Sequence, residues 1–541
     1  MRGHDVVAQA LVDQGIDTVF GVLGDANLFI GDALMRLHDV RYVAATHEAS
    51  AVMMAQGFSR STGRLGVATV THGPGLTNTM TALVEGARSG TPMLLVAGDT
   101  PTLDEHHLQD IPQRPLVEAT GAGFHPVRGP ETIATDVAAA IRRAHVEHRP
   151  IVLNLPLEFE WKDVDYVAAP VVAKPTLALD ADPAALDVAL GIIASAARPL
   201  VLAGRGAVTA NAHDALVTLA ETLGAPLCTS LLGSNYFAGE EFNLGVFGTL
   251  STPLAAEIMM QADCVVTFGA ALNRYTTHEG TLLQGKRVIQ VDLSPARIGS
   301  TVPIDAGVVG DARRVAETMT AMLRSADHRP SGFRSADLAA RLAGYSGADF
   351  DDLSTNVTVD VRTAVIELDR ILPSNRTVVV DAGRFMLDAL TLPVPDPLAL
   401  VTTHAFGSIG LGMASTIGAA VGVPDRPAVF LVGDGGFMMG GLNELHTAVH
   451  YELDVIVVLF NDGSYGAEHV QLVNKDMDTS PSLHHWPNFT AVAAALDTEA
   501  VAVRCVDDFA TAEKAVVQRV PGRPVFIEIS IDPEVSSRIP R

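Results

Sequence analysis

Three α/β domains, each built on a central and mostly parallel sheet, are what this sequence predicts. Two observations carry that reading. Short β-branched apolar runs alternate with Ala-rich helical stretches along the whole chain, the pattern of strands buried on both faces. Two linker-like stretches also divide the 541 residues into three parts, each about the size of one α/β domain.

In the first part, 1–165, the strand-like runs are 67–70, 93–97 and 151–155. Residues 168–182 follow, with Pro170, Pro175 and little periodicity, and read as a linker. The middle part, 183–325, offers strand-like runs at 200–203, 264–268 and 287–291. Its turns Gly204-Arg205-Gly206 and Phe268-Gly269-Ala270 each follow a strand, but a lone Gly-x-Gly carries little information. Residues 324–352, rich in Ser, Gly, Arg and Asp, read as the second linker, with a short helix at 335–342. The last part, 355–541, offers runs at 377–380, 428–432, 455–460 and 525–529. No short-period repeat of the solenoid kind is present.

Lys and Arg number 37 against 62 Asp and Glu, a formal charge of −25. A nucleic-acid duplex or an anionic membrane repels such a chain, so both are excluded as partners. Apolar residues make up 48% and charged residues 18%, which marks a core-rich globular chain whose apolar surplus points to buried subunit interfaces. Residues 1–5 lead into an amphipathic segment with Asp13 and Asp17, not a signal peptide, and no apolar stretch of about 18 residues is found. Cys228, Cys264 and Cys505 lie far apart and make neither a zinc spacing nor a disulfide framework. A cytoplasmic protein is therefore expected.

The most informative motif lies in the last part. The strand at 428–432 runs into Gly433-Asp434-Gly435-Gly436, followed by a helix-like stretch at 442–450. The strand at 455–460 ends in Asn461-Asp462-Gly463-Ser464-Tyr465-Gly466. Both polar clusters thus stand at carboxyl ends of parallel strands, where open α/β sheets bind ligands. Such a pair suits a diphosphate held through a divalent cation. Asp434 offers a carboxylate oxygen, Asn461 an amide oxygen and the backbone near Gly463 a carbonyl, and the phosphates complete the octahedron. The glycines let backbone N–H groups approach phosphate oxygens.

Gly433-Asp434-Gly435, 25 intervening residues and Asn461-Asp462-Gly463 resemble the signature of thiamine-diphosphate-dependent enzymes. His47-Glu48-Ala49-Ser50-Ala51, Gly57-Phe58-Ser59-Arg60 and Thr71-His72-Gly73-Pro74-Gly75-Leu76-Thr77-Asn78 resemble the pyrimidine-binding domain of the same family. The resemblance covers nearly the whole chain and implies the thiamine-diphosphate-binding fold, in the order pyrimidine-binding domain (1–165), middle domain (183–325) and diphosphate-binding domain (355–541). It implies thiamine diphosphate and Mg2+ as cofactors, with Gly407, Ser408, Ile409, Gly433, Asp434, Gly435, Gly436, Asn461, Gly463, Ser464 and Tyr465 around them. Asp434, Asn461 and Gly463 are the implied metal ligands. Glu48 then hydrogen-bonds the aminopyrimidine and favours its imino tautomer. Ile409 is the wedge that folds this ring over the thiazolium. In the family, the residue matching Glu48 in one subunit meets the cofactor held by the residue matching Asp434 in the other. A homodimer is the implied minimum, and a tetramer is common.

The implied reaction is decarboxylation of a small 2-oxo acid through an enamine, which is then protonated or ligated to a second carbonyl. Gly24-Asp25-Ala26-Asn27 resembles a segment of pyruvate and indolepyruvate decarboxylases, whose acidic residue handles protons, and Asp25 matches it. His106-His107 stands where those enzymes carry a His-His pair, and Glu468 stands within one position of their C-terminal acid. His72 lies one position after the match to a catalytic histidine of benzoylformate decarboxylase. The alternative is an acetolactate-synthase-like carboligase. Residues 71–78, Gln109-Asp110-Ile111-Pro112 and Glu444 agree with that enzyme. Its Lys-His pair is Phe124-His125 here, its Gly-Gln-His is Gly383-Arg384-Phe385, and its tryptophan after the Asn motif is missing, with Trp161 and Trp486 lying elsewhere. Some relatives bind FAD through Phe-Asp-Asp-Arg, where this chain reads Leu272-Asn273-Arg274; FAD is the less favoured third cofactor. A C–C lyase, a hydrolase or a non-catalytic relative remains the other class. Glu48 speaks against a binding-only protein, and no strand–GxGxxG–helix supports a nicotinamide dehydrogenase.

Overall fold

The computed structural model describes residues 1–104, 106–174, 178–346 and 350–535. Residues 175–177 and 347–349 of the two expected linkers, and 536–541 of the last part, lie outside the described residues. The described chain carries three six-stranded sheets, and every strand pairing in them is parallel.

The first sheet contains β1 (Thr18–Gly21), β2 (Arg41–Ala44), β3 (Gly66–Val70), β4 (Met93–Asp99), β5 (Gly123–Pro126) and β6 (Pro150–Pro156), in the order β2-β1-β3-β4-β6-β5. The middle sheet contains β7 (Pro199–Ala203), β8 (Leu227–Thr229), β9 (Asn243–Val246), β10 (Cys264–Phe268), β11 (Arg287–Asp292) and β12 (Ala306–Val309), in the order β12-β11-β10-β7-β8-β9. The third contains β13 (Thr377–Val380), β14 (Leu400–Thr402), β15 (Ala428–Gly433), β16 (Val455–Asn461), β17 (Glu499–Val503) and β18 (Val525–Ser530), in the order β14-β13-β15-β16-β18-β17. The third sheet therefore repeats the strand order of the first. In both, the chain turns from one direction of winding to the other between its first and third strands, so the ligand crevice is expected at the carboxyl ends of β1 and β3 and of β13 and β15.

The first and third sheets share one compact unit, and the middle sheet forms a second. In the first unit the two sheets meet through helices Glu48–Thr62 and Gly412–Gly422. A Cβ at Gly57 would stand 1.9 Å from the Ser415 carbonyl oxygen, and a Cβ at Gly418 would stand 1.9 Å from that of Met54. Only glycine lets the two backbones touch, and Met53, Met54, Phe58, Met413 and Ile417 fill the flanks of the crossing as buried core. The helix Glu48–Thr62 starts cleanly because His47 caps it, its Nδ1 accepting from Ala49 N–H at 3.1 Å. It stops at Gly63, whose φ of 70° a β-carbon would resist.

Taken by itself, the middle unit has the strand order of a dinucleotide-binding sheet, with its crossover between β7 and β10. There the turns Gly204–Gly206 and Gly269–Ala270 meet backbone to backbone: a Cβ at Gly204 would stand 2.3 Å from the Gly269 carbonyl oxygen. Asn273 closes an Asx turn on the N–H groups of Tyr275 and Thr276, and Arg274 pairs with Glu279. The short helix expected at 335–342 is present as Ala336–Ala343, capped by Ser335.

Candidate active site

β15 and β16 are neighbours in register, Gly433 opposite Phe460, so Asp434 and Asn461 leave the sheet side by side. Asp434 is 3% exposed and begins a helical stretch that continues through a wider turn, Phe437–Gly441, into Leu442–His450. The helix expected only from residue 442 thus begins eight residues earlier, and Asp434 stands at its positive end, a position suited to phosphate. The Asp434 carboxylate accepts from Gly435 N–H at 2.7 Å and from the indole N–H of Trp486 at 2.9 Å. Asn461 donates its amide to Glu528 at 2.7 Å, while its amide oxygen accepts from Gly463 N–H at 3.1 Å. Glu528 thereby fixes which end of the Asn461 amide points toward the turn.

Burial, and then the nearby Asp462 charge, push the Asp434 carboxyl up to about 7, against the donors Gly435, Trp486 and Gly463. No cationic side chain is among the strongest influences on it. A buried carboxylate in that situation suits a metal cation. Among the described residues no cluster of three or more His, Cys, Asp or Glu could hold a metal. The donors on offer are instead the Asp434 carboxylate, the Asn461 amide oxygen and the Gly463 carbonyl, a set that could hold a cation and leave coordination positions for phosphate oxygens. The residues present fit a magnesium-bound diphosphate.

The loop from Thr403 to Leu411 brings Ile409 to this turn. The Ile409 Cδ1 would lie 3.8 Å from a Cβ at Gly435, and the Tyr465 ring only 2.5 Å from it, so Gly435 is the meeting point of both side chains. Two buried carboxylates fasten the loop. Asp381, at the end of β13, accepts from Gly410 N–H at 2.8 Å and from the Thr403 hydroxyl at 3.1 Å. Burial pushes the Asp381 carboxyl up to about 6. Glu85, on helix Met80–Ser89 of the first sheet, accepts from Ala405 N–H at 3.1 Å and from Phe406 N–H at 2.7 Å, one on each oxygen. Arg88, one turn on, covers the Phe406 ring at 4.8 Å. Gly407 has a φ of 86° and Gly410 one of 84°, so the loop needs glycine on both sides of Ser408 and Ile409. The Ser408 hydroxyl is turned onto the Ile409 carbonyl.

In the first sheet, Glu48 is the first residue of its helix, half-buried against the Gly-rich turn after β3. Its Oε2 accepts from the Asn78 amide at 2.9 Å. His72, at the end of β3, is fully buried, with its Nε2 lacking a partner and its ring 5.1 Å from that of His107. Burial and then His107 lower the His72 pKa, so it stands neutral, while the charges of Asp25 and Asp99 act the other way. Asp25, beyond β1, is close enough to influence both His72 and Glu160. His106 is exposed and donates its backbone N–H to Asp104. Glu468 lies on the exposed side of helix Gly466–Val473, while its neighbour His469 is buried between Ser482 and Glu534. The structure therefore brings together Asp434, Asn461, Gly435, Tyr465 and Ile409 at one strand rim, and Asp25, His72 and His107 at another. His106 and Glu468 face solvent.

Comparison with known proteins bears on the family. Residues 1–118 match the N-terminal TPP binding domain of thiamine pyrophosphate enzymes, 186–320 the central domain, and 381–529 the C-terminal TPP binding domain. The chain is 30% identical to the sulfoacetaldehyde acetyltransferase of Rhodobacter capsulatus, over 99% of this chain and 95% of that protein. The chain belongs to the thiamine pyrophosphate enzymes. It is also 28% identical to the acetolactate synthase isozyme 3 large subunit of Escherichia coli, over 98% of this chain and 95% of that protein. With the probable acetolactate synthase large subunit of Methanocaldococcus jannaschii it shares 26% identity, over 98% and 92%.

For this thiamine-diphosphate-dependent enzyme, three residues escaped the sequence reading. Trp486 reads as remote from the cofactor motif yet donates to Asp434. Glu85 and Asp381 sit in segments without any motif and act on a loop that only the fold brings to them. No helix of the described residues is long and apolar enough to cross a membrane.

Proposed function

We propose that this chain is a thiamine-diphosphate- and Mg2+-dependent decarboxylase/carboligase of a small 2-oxo acid. The observation that carries the reading is the convergence at Gly435 of Asp434, Ile409 and Tyr465, beside Asn461 on the adjacent strand. Asp434, Asn461 and the Gly463 carbonyl would hold the cation, and the helix start at Asp434 would face the diphosphate. When bound, the cofactor supplies a nucleophilic carbon and an electron sink for the carbon that loses CO2. Glu48 would hold a proton against the pyrimidine ring, and Ile409 would help to hold that ring in place. His72, with its buried Nε2 unpartnered, and His107 beside it would take up or deliver a proton near Asp25.

A ligase reading is favoured by the relatives, whose names are those of a synthase and an acetyltransferase. The chain is also proposed to work as a homo-oligomer, at least a dimer, as the family does. Incubation with a panel of 2-oxo acids, thiamine diphosphate and Mg2+, followed by mass spectrometry, tests the reaction. Free aldehyde that falls sharply in Asp25→Asn and His107→Ala would favour the decarboxylase. Acyloin or acetohydroxy acid formed equally well by both variants would favour the ligase. Release of CO2 from none of the acids would overturn both.

A further inference from the structure

The loop after the short turn Ser480–Ser482 is laced to the second half of the cofactor motif. His484 N–H donates to the Gly463 carbonyl at 2.8 Å, and Tyr465 N–H donates to the Ser482 carbonyl at 2.9 Å. The same loop reaches the first half, where the Trp486 indole N–H meets the Oδ2 of Asp434 at 2.9 Å. An aromatic stack stiffens it. The Trp486 ring lies parallel to that of His484 at 4.5 Å and 19°, and His484 meets the edge of Tyr465 at 4.5 Å and 74°. Tyr465 in turn packs on Gly435, the neighbour of Asp434.

We propose that Trp486 is a positioning residue for the metal end of the cofactor site, setting the orientation of the Asp434 carboxylate and tying the two halves of the motif together. The proposal rests on the reading of Asp434 as a metal ligand. An indole N–H is a donor only, so it does not compete for the cation. It occupies one lone pair of Oδ2, as Gly435 N–H occupies one of Oδ1, and even with the Gly463 N–H acting on the same carboxylate a lone pair is left for coordination. Groups that orient a ligating carboxylate in this way commonly govern metal affinity. Because the loop also binds the Gly463 carbonyl, a change at the cation is felt at the indole.

The test uses the fact that the chain has two tryptophans, Trp161 and Trp486. In Trp161→Phe, Trp486 is the sole source of indole emission. Titration with Mg2+ at saturating thiamine diphosphate should change that emission saturably, with the midpoint found by calorimetry. Trp486→Phe keeps an aromatic ring but has no N–H. It should lower Mg2+ affinity roughly 10- to 100-fold while the cofactor-free protein melts as the wild type does. Unchanged Mg2+ affinity in Trp486→Phe would overturn the proposal. Silent emission in Trp161→Phe while calorimetry shows binding would overturn it too, and this measurement decides the matter if Trp486→Phe fails to fold. If Asp434→Ala binds Mg2+ and thiamine diphosphate as tightly as the wild type, the metal-site reading itself fails and the inference falls with it.

Discussion

Gly57 lies so close to Ser415 that a β-carbon on it would stand 1.9 Å from the Ser415 carbonyl oxygen. The neighbouring atom is backbone in the middle of a helix, so it has no side-chain freedom with which to yield. Gly57→Ala should therefore force helices Glu48–Thr62 and Gly412–Gly422 apart, at a cost of about 1–3 kcal/mol. The apparent melting temperature should drop by several degrees. Gly191→Ala, at an exposed position of helix Pro183–Ala194 with open space around it, should leave it unchanged or raise it slightly. Equal melting of both variants would refute the tight crossing.

Glu85→Gln should slow turnover roughly tenfold or more and leave Mg2+ affinity near the wild-type value. The carboxylate holds the N–H groups of Ala405 and Phe406, one on each oxygen, and a neutral amide replaces one acceptor by a donor. The loop that carries Ile409 then loosens, while the residues at Asp434 are untouched. Steady-state kinetics and limited proteolysis around residues 403–411 check this. A loss of Mg2+ affinity as large as the loss of turnover would contradict it.

His404, in the same loop, has a buried Nδ1 without a partner. Burial, and then Arg60, lower its pKa from 6.5 to about 4. The folded protein keeps this ring neutral where the unfolded chain would protonate it. Its contribution is fully present above pH 6.5 and is lost as pH falls from 6.5 toward 4, by up to about 1.4 kcal/mol per pH unit. His404→Gln lacks this penalty. Its melting temperature relative to the wild type should rise as the pH is lowered from 7 to about 4.5. A constant offset across that range would show that His404 does not titrate this way.

Glu48→Gln should retain the fold and most cofactor affinity, since Gln still accepts from Asn78, but turnover should fall roughly 100- to 10,000-fold because an amide cannot exchange the proton. Calorimetry and initial rates separate the two effects. A wild-type rate in this variant would remove Glu48 from the proposed mechanism.

Ten strands are legible in the sequence because each carries a nearly continuous aliphatic or β-branched run, even the four-residue β13. β1, β2, β5, β8, β9, β12, β14 and β17 are three to five residues long. β2 exposes Arg41 and Ala44, and β17 is half-buried over most of its length, so neither shows a clear run. The helix start at Asp434 is hidden because Gly435, Gly436, Gly440 and Gly441 read as a loop, whereas Ile409, Gly410 and Tyr465 need the first three of those glycines to approach. Asp434 and Asn461 are legible from spacing, since both follow strands directly. Glu85 is not, because its partner Phe406 is 321 residues away and no local pattern records that meeting.

That separation bears on how the site is made. The loop bearing Ile409 is anchored by one carboxylate from its own sheet and by another from the opposite end of the chain. A fragment holding only the third sheet could build β13 to β18 and still leave the backbone of Ala405 and Phe406 slack. The chain must therefore be nearly complete before its cofactor pocket can acquire a defined shape, and assembly of that pocket is a late event in the life of the molecule.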